Sequence, residues 1–369
     1  MFVTDKILPE LPAPSNAKGL VHWLKTNLFS SPANSLLTIV GLFLLYKIIP
    51  PAVQWAITDA TWFADTREVC RGDGKGACWA YILNRFDQII YGFYPAEERW
   101  RPNIAGILLI ILVALLLIEK TPKKAWIAGF TLVIYPIIAY FLIRGGSFGL
   151  VNVDTNKWGG LMLTLIISIA GIVTALPIGT VLALGRRSEM PIVKSFSVIF
   201  IEFWRGVPLI TVLFMSSVML PLFLPSGTDF DKLARAMIGI TLFQAAYVAE
   251  VVRGGLQAIP KGQYEAASAM GLSYWKSMFL IILPQALKLV IPGLVNTFIA
   301  LFKDTTLVLI IGLFDLLAIA EKVLSADAAW QGFHTEGLVF SAFAFWIFTF
   351  SMSRYSMSLE KKLNTGHKR

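Results

Sequence analysis

Two short runs, EFWRG at 202–206 and EVVRG at 250–254, each place a carboxylate and a guanidinium three residues apart, with a glycine after the arginine. On a helix, residues three apart share a face, so Glu202 meets Arg205 and Glu250 meets Arg253. Two chemistries suit such pairs. One is mutual neutralisation, which makes a charge tolerable near lipid while the glycine allows close helix packing. The other is a polar pathway, or the mouth of one, lined by these charges. A third stretch, YEAASAMGLSYWKSMFLIILP at 264–284, begins small, polar and charged between two strongly apolar segments. Its Ala-rich start favours a helix, Glu265 at that start suits the helix dipole, and Gly271 favours a turn or C-cap. The amphipathic part that follows is expected to stop at Pro284.

The elements that must position these residues are almost entirely apolar. Of 369 residues, 56% are hydrophobic and 15% charged, and the mean hydropathy is +0.68. A soluble domain carries roughly 25% charged residues. The chain therefore reads as an all-α integral membrane protein. Runs long enough to cross a bilayer as helices fall at about 34–57, 103–119, 125–143, 161–184, 196–220, 236–252, 287–303 and 337–355, giving about eight transmembrane helices. In the first, Lys47 can snorkel, and Pro50 and Pro51 are expected to kink or end the helix. The apolar run 307–320 is too short and interrupted to cross, and is expected to be re-entrant or packed.

Orientation follows from the basic residues. With the N-terminus inside, the inner segments 1–33, 120–124, 185–195, 253–286 and 354–369 hold seventeen Lys and Arg, and the short outer segments 144–160, 221–235 and 304–336 hold five. Short loops decide topology, so both termini are expected in the cytoplasm and the long segment 59–102 outside. The net charge of +9 belongs to this asymmetry, and no basic run with interleaved aromatics points to nucleic acid. The N-terminal stretch lacks the apolar core and cleavage site of a signal peptide. Cys70 and Cys78, in CRGDGKGAC, would lie outside, where an oxidising compartment favours a disulfide. Two cysteines are a poor zinc site, and no metal site or catalytic residue is read. The aromatic-rich part of the outer segment, WAYILNRFDQIIYGFYP, reads as a small external cap or an interfacial helix.

The chain divides near residue 158. Residues 1–158 form an extension with three transmembrane helices and the outer segment 59–102, and residues 159–369 hold five spans. The two parts are not copies of each other.

The opening stretch carries a resemblance. Glu265-Ala266-Ala267, Gly271, Ile281, Leu283 and Pro284 resemble the coupling-loop motif of permease subunits from ABC-type importers that use an external binding protein. IEFWRGVPLITVLF, YVAEVVRGGLQAIPKGQYEAA and LFKDTTLVLIIGLFDLL resemble the polar amino-acid uptake branch, the relatives of the histidine and glutamine permeases, over about 159–360. The added N-terminal spans resemble the larger permeases of bacterial general L-amino-acid uptake systems. The resemblance implies that the last five helices form a type I ABC importer permease core in a bacterial inner membrane. It implies a coupling loop at 253–286, with Glu265, Ala266, Ala267, Gly271, Leu283 and Pro284 facing an ATPase. It also implies partners: a second, related permease in a heterodimer, two copies of a cytoplasmic ATPase, a periplasmic amino-acid-binding protein and membrane lipid. The chain itself lacks a GxxxxGK[ST] phosphate loop, and GDGKGA at 72–77 fails that pattern. No cofactor is therefore expected here, and ATP with Mg would be used by the partner.

A free amino acid carries an ammonium and a carboxylate, so its path needs polar groups and dipoles. Candidates are Glu202, Arg205, Asn296, Lys303, Asp304 and Thr305, with helix-end anchoring as the competing role for Lys303 and Asp304. Glu250 and Arg253 are expected as a structural ion pair. General L-amino acids or a narrower group (glutamate, glutamine, histidine or an opine) remain open as cargo. An ion-coupled secondary transporter or a channel without a motor are the readings from other classes, and neither explains the coupling motif.

Overall fold

The computed structural model describes residues 19–72, 74–118, 120–223, 225 and 230–363. The Pro-rich stretch 1–18 and the end of the basic tail, 364–369, which entered the orientation reading, lie outside the described residues. The chain forms two compact units. The first holds the described residues up to Ala64 together with Glu68–Trp79, and the second holds Asp65–Arg67 and the described residues from Ala80 onward.

In the first unit, α1 (Leu20–Asn27) precedes α2 (Pro32–Val53). Ser31 caps α2 by accepting the Asn34 N–H at 3.2 Å, and Pro32 occupies the first turn, where no donor is needed. The helix does not end at Pro50 and Pro51. Their fixed φ is helical, and the helix runs on through a π-helical turn to Thr58, 27 residues in all. The following loop folds back onto the end of this helix. Ala77 N–H donates to Trp55 O and Thr61 N–H to Ala77 O, both at 2.8 Å. Cys70 and Cys78 are joined as a disulfide. Trp79 donates its ring N–H to Ala56 O at 2.7 Å, with Trp55 and Trp62 against its ring.

The second unit takes in the two short helices α3 (Trp79–Asn84), all but its first residue, and α4 (Phe86–Tyr91). They are followed by α5 (Trp100–Leu117) and by a span, Lys124–Arg144, built from α6 (Lys124–Gly129), a π-helical turn and α7 (Tyr135–Arg144). The bundle that carries the candidate site comes next. It comprises α8 (Gly160–Arg186), α9 (Pro191–Gly206), α10 (Leu209–Phe214), α11 (Lys232–Ala258), α12 (Lys261–Ala269), α13 (Tyr274–Ser277), α14 (Leu283–Asp304) and α15 (His334–Leu363). Seven helical runs among the described residues are long and apolar enough to cross a membrane, and the bent pair around α9 and α10 makes an eighth.

α11 is the centre of this bundle and packs on α8, α9, α10 and α14. Small residues make that possible. A Cβ on Gly179 of α8 would meet Ala245 O and Val248 Cβ at 2.7 Å, so the two helices touch backbone to side chain. Two apolar clusters fill the bundle. One gathers Leu163, Ile167, Leu213, Ile240, Leu301 and Leu313. The other, nearer α12, gathers Ala175, Leu182, Ile201, Val252, Leu256 and Ile282.

Three expected elements differ. The span expected at 196–220 is broken, because α9 and the run from Leu209 meet at 102°. Pro208 disfavours helical backbone at the residue before it, and Val207 is extended at φ −99°, ψ 130°. The helix expected to stop at Pro284 instead continues from Tyr274 to Ile311 as one run. A π-helical turn at Met278–Ile282 lies immediately before Leu283 and Pro284, so the regular bonding pattern is already interrupted where the proline, which lacks a donor, enters the run. Finally, 307–320 is not one helix. A 3-10 stretch, Thr305–Ile311, ends at Gly312 in the left-handed region, and β1 (Phe314–Asp315) and a π-helical turn at Ala318–Val323 follow.

β1 is held by a glycine seam. Gly159 and Gly160 bridge to Phe314 and Asp315, and Gly92 bridges to Trp158. A Cβ at Gly92 would overlap Gly159, and one at Gly160 would overlap the Ile89 carbonyl. Through this seam α3 and α4 are built into the bundle end. Tyr81 donates to Ala320 O at 2.5 Å, Arg85 pairs with Asp327, and Phe93 and Phe86 meet Phe314 and Phe340.

Candidate functional site

The polar stretch forms a short helix set between two long ones. α11 stops at Ala258 because Pro260 forces Ile259 to extended backbone, φ −73° and ψ 125°. α12 then runs for nine residues. Its end is set by Gly271, at φ +72°. Gly271 N–H donates to Ser268 O at 2.9 Å and Leu272 N–H to Ala267 O at 3.2 Å, the bond pattern of a helix closed by a left-handed residue. No atom lies within 4 Å of where a Gly271 Cβ would sit, so glycine is needed there for conformation and not for space.

Within α12, Glu265 and Ala266 are exposed and Ala267 is fully buried. The helix therefore presents its acid and one methyl outward and seats the other methyl on the bundle. Leu283 is buried and Pro284 exposed at the start of α14. A clamp fixes α12 to the end of α11. Arg187 Nη1 donates to Leu256 O at 2.7 Å and to Tyr264 Oη at 2.8 Å, and Tyr264 in turn donates to Leu256 O at 3.0 Å. The Arg187 guanidinium also lies 5.3 Å from the Tyr264 ring centroid. Leu256 O is one of the last carbonyls of α11, which have no partner inside the helix and favour a cation. A cavity of about 330 Å³ lies behind α12, walled by Arg187, Tyr264, Ser268 and Met278.

The two Glu–Arg pairs are brought together into one knot. Glu250 receives Arg253 through Nε at 3.0 Å and Nη2 at 2.9 Å, and Arg186 at 2.6 Å. Arg186 also reaches Glu202 at 2.9 Å. Arg205 stands 3.8 Å from Glu250 and stacks on Tyr247, 5.7 Å from its ring centroid. The predicted partners Glu202 and Arg205 do not bond each other. Arg186 of α8 stands between α9 and α11 and ties them together. Sequence reasoning missed Arg186, because GRRS reads as a loop charge and nothing in the sequence puts it beside Glu250, 64 positions away.

The other path candidates lie apart on α14 and just beyond it. Asn296 and Lys303 are exposed and Asp304 is half-buried. Thr305 is fully buried, and its hydroxyl donates to Phe302 O at 2.8 Å, which closes the end of α14. Among the described residues no hydrogen bond or ion pair links these four to Glu202 or Arg205. No group of three or more His, Cys, Asp or Glu side chains among the described residues could hold a metal.

Asp315 was also missed. It is fully buried on β1 and accepts the N–H groups of Leu317 at 3.3 Å and Ala318 at 3.0 Å. Burial pushes its carboxyl up to about 6, against the partial relief of those backbone donors.

Comparison with known proteins gives the family. Residues 175–365 match the family described as binding-protein-dependent transport system inner membrane component. The chain is 58% identical over 358 residues to the inner membrane amino-acid ABC transporter permease protein YhdY of Escherichia coli K12, covering 97% of each chain. It is 41% identical over 433 residues to the glutamate/glutamine/aspartate/asparagine transport system permease protein BztC of Rhodobacter capsulatus, covering 100% of this chain and 99% of that one. The glutamate/aspartate import permease protein GltK of Escherichia coli O157:H7 is 34% identical over 208 residues, which is 55% of this chain and 91% of its own. An apolar multi-span bundle with a short clamped helix between two spans, and a family match over that region, lead to one conclusion: the chain belongs to the binding-protein-dependent transport system inner membrane components.

Proposed function

We propose that this chain is the membrane-spanning permease subunit of an ATP-driven amino-acid importer, and that α12 is the helix its motor grips. The exposed Glu265 and Ala266 on a helix clamped to the bundle carry this reading. ATP with Mg is bound and hydrolysed by a separate cytoplasmic ATPase, two copies of which engage the assembly. A second related permease pairs with this chain, and a periplasmic binding protein delivers the cargo. In this reading α12 and both termini face the cytoplasm, and α3 and α4 face outward. Residues 159–369 act as the permease proper, and 1–158 as an added extension. The substrate path draws on Glu202, Arg205, Asn296, Lys303, Asp304 and Thr305, while Glu250 and Arg253 hold the charge knot. The cargo is the polar L-amino acids. A narrower set, the acidic amino acids and their amides, is favoured by the full-length likeness to the Rhodobacter permease named for them.

The test is purification of this chain from its native membrane with whatever accompanies it. Recovery of a related permease and a phosphate-loop ATPase is the expected result. Recovery of the chain alone, where known importers stay whole, refutes the motor. Gly271→Asp and Glu265→Lys should then insert normally yet lose uptake. Normal uptake with normal ATPase association in both would remove α12 from the contact.

A further inference from the structure

Arg205 is the one arginine of the charge knot that donates no hydrogen bond to a carboxylate, standing in a long ion pair with Glu250. Three arginines, 186, 205 and 253, face two glutamates, 202 and 250, so the cluster holds one positive charge in excess. Glu250 is already engaged on both oxygens by Arg186 and by two nitrogens of Arg253. Arg205 makes no hydrogen bond among the described residues, and its nearest carboxylate oxygen, at 3.8 Å, is beyond hydrogen-bond reach. Its side chain is 37% exposed, and its guanidinium lies over the Tyr247 ring, 5.7 Å from the centroid, with its donors open.

Its place in the fold is as telling. Arg205 is fourteen residues beyond Pro191, about 21 Å along α9, one residue before α9 ends at Gly206. The path turns through 102° there. Tyr247 and Trp204 pack on one apolar cluster, while Phe200, one turn back, packs on the other. A guanidinium whose one carboxylate contact is a long ion pair of 3.8 Å to Glu250, with its donors open, rests poorly against lipid. It must face a polar compartment. Broken membrane helices place free backbone groups at such points, and the last carbonyls of α9 lack helical partners. A cation beside free carbonyls suits a molecule with a carboxylate and an ammonium close together.

We propose that Arg205 receives the carboxylate of the amino acid in transit, with the end of α9 facing its ammonium. This rests on the amino-acid importer reading and names the residue that reads the cargo's charge. The experiment is equilibrium binding of radiolabelled L-glutamine and L-glutamate to the purified assembly, comparing the native chain with Arg205→Gln and Arg205→Lys. Arg205→Gln should weaken binding by about tenfold or more, as the loss of a charge-assisted hydrogen bond does. Arg205→Lys should lose less. Equal losses for both ligands assign the α-carboxylate, and a loss confined to glutamate assigns the side-chain carboxylate; either supports the proposal. Native affinity for both ligands in Arg205→Gln overturns it while the importer reading stands. Absence of binding to the native assembly overturns both. Loss of the second permease from the Arg205→Gln assembly, with this chain still monodisperse, would show that the guanidinium pairs with a partner's carboxylate, and would also overturn it.

Discussion

Under the proposed coupling role of α12, its clamp sets how firmly a pull on that helix reaches the bundle. Tyr264→Phe removes one hydroxyl and leaves the ring. That hydroxyl accepts from Arg187 at 2.8 Å and donates to Leu256 O at 3.0 Å. A hydrogen bond to a charged group contributes about 1.5–3 kcal/mol and a neutral one about 0.5–1.5 kcal/mol. Two features reduce the loss. Arg187 keeps its own bond to Leu256 O and its contact with the ring, and a site this open to water screens the charged bond. The expected cost is about 1 kcal/mol, roughly a fivefold shift toward a loosened α12. In the double variant with Arg187→Met, the effects should fall short of additive by a similar amount, because both remove the same bond. Amide hydrogen exchange over 261–269 reads the loosening, and the ratio of ATP hydrolysed to amino acid imported in proteoliposomes reads its consequence. Protection should fall about fivefold and the ratio should rise. Unchanged exchange and an unchanged ratio in Tyr264→Phe, or strict additivity in the cycle, would refute the clamp as a force-bearing contact.

Glu250→Gln should be more damaging than Arg253→Gln, since it leaves three arginines facing Glu202 alone; a loss of about 3 kcal/mol is expected, read by chemical denaturation, and Arg186→Gln in the same background should restore part of it. Asp315 has a folded pKa of about 6 against 3.8 for the free group, so the folded segment binds a proton more tightly than the unfolded one. Its stability should fall as pH rises from about 4 through 6 and be flat above. Acidifying from pH 7 to 5 should raise protection across 314–323 by about 1.3 kcal/mol once intrinsic exchange is corrected, and Asp315→Asn should abolish that dependence. Replacing both Cys70 and Cys78 with serine reopens a loop with a sequence separation of 8 and should cost about 2.6 kcal/mol. Faster limited proteolysis between 59 and 79 is the expected sign, and an unchanged cleavage rate would count against it.

The apolar runs made the spans legible because a bilayer leaves the backbone few choices. α12 and its glycine were equally legible, since helix propensity and a left-handed stop are local properties. Prolines were not. Pro50, Pro51 and Pro284 lie within or at the start of continuous helices, while Pro208 marks a bend, and the difference lies in whether the preceding residue can stay helical in its packing. Arg186 and Asp315 were invisible for a related reason. One looks like a loop charge and the other like an interruption in an apolar run. Their roles come from neighbours distant in sequence, Glu250 for Arg186 and the Gly159–Gly160 backbone for Asp315.

The glycine seam has a consequence for descent. Gly160 is held by two constraints, a left-handed φ of +62° and the Ile89 carbonyl standing where a Cβ would have to go. The first belongs to the bundle itself, and the second exists only where α4 is present. A lineage without α4 keeps the first constraint alone, which asparagine can meet. Substitutions at 160 should therefore track the gain or loss of a segment some seventy residues upstream, and the residue there becomes a marker of which ancestral branches carried α4.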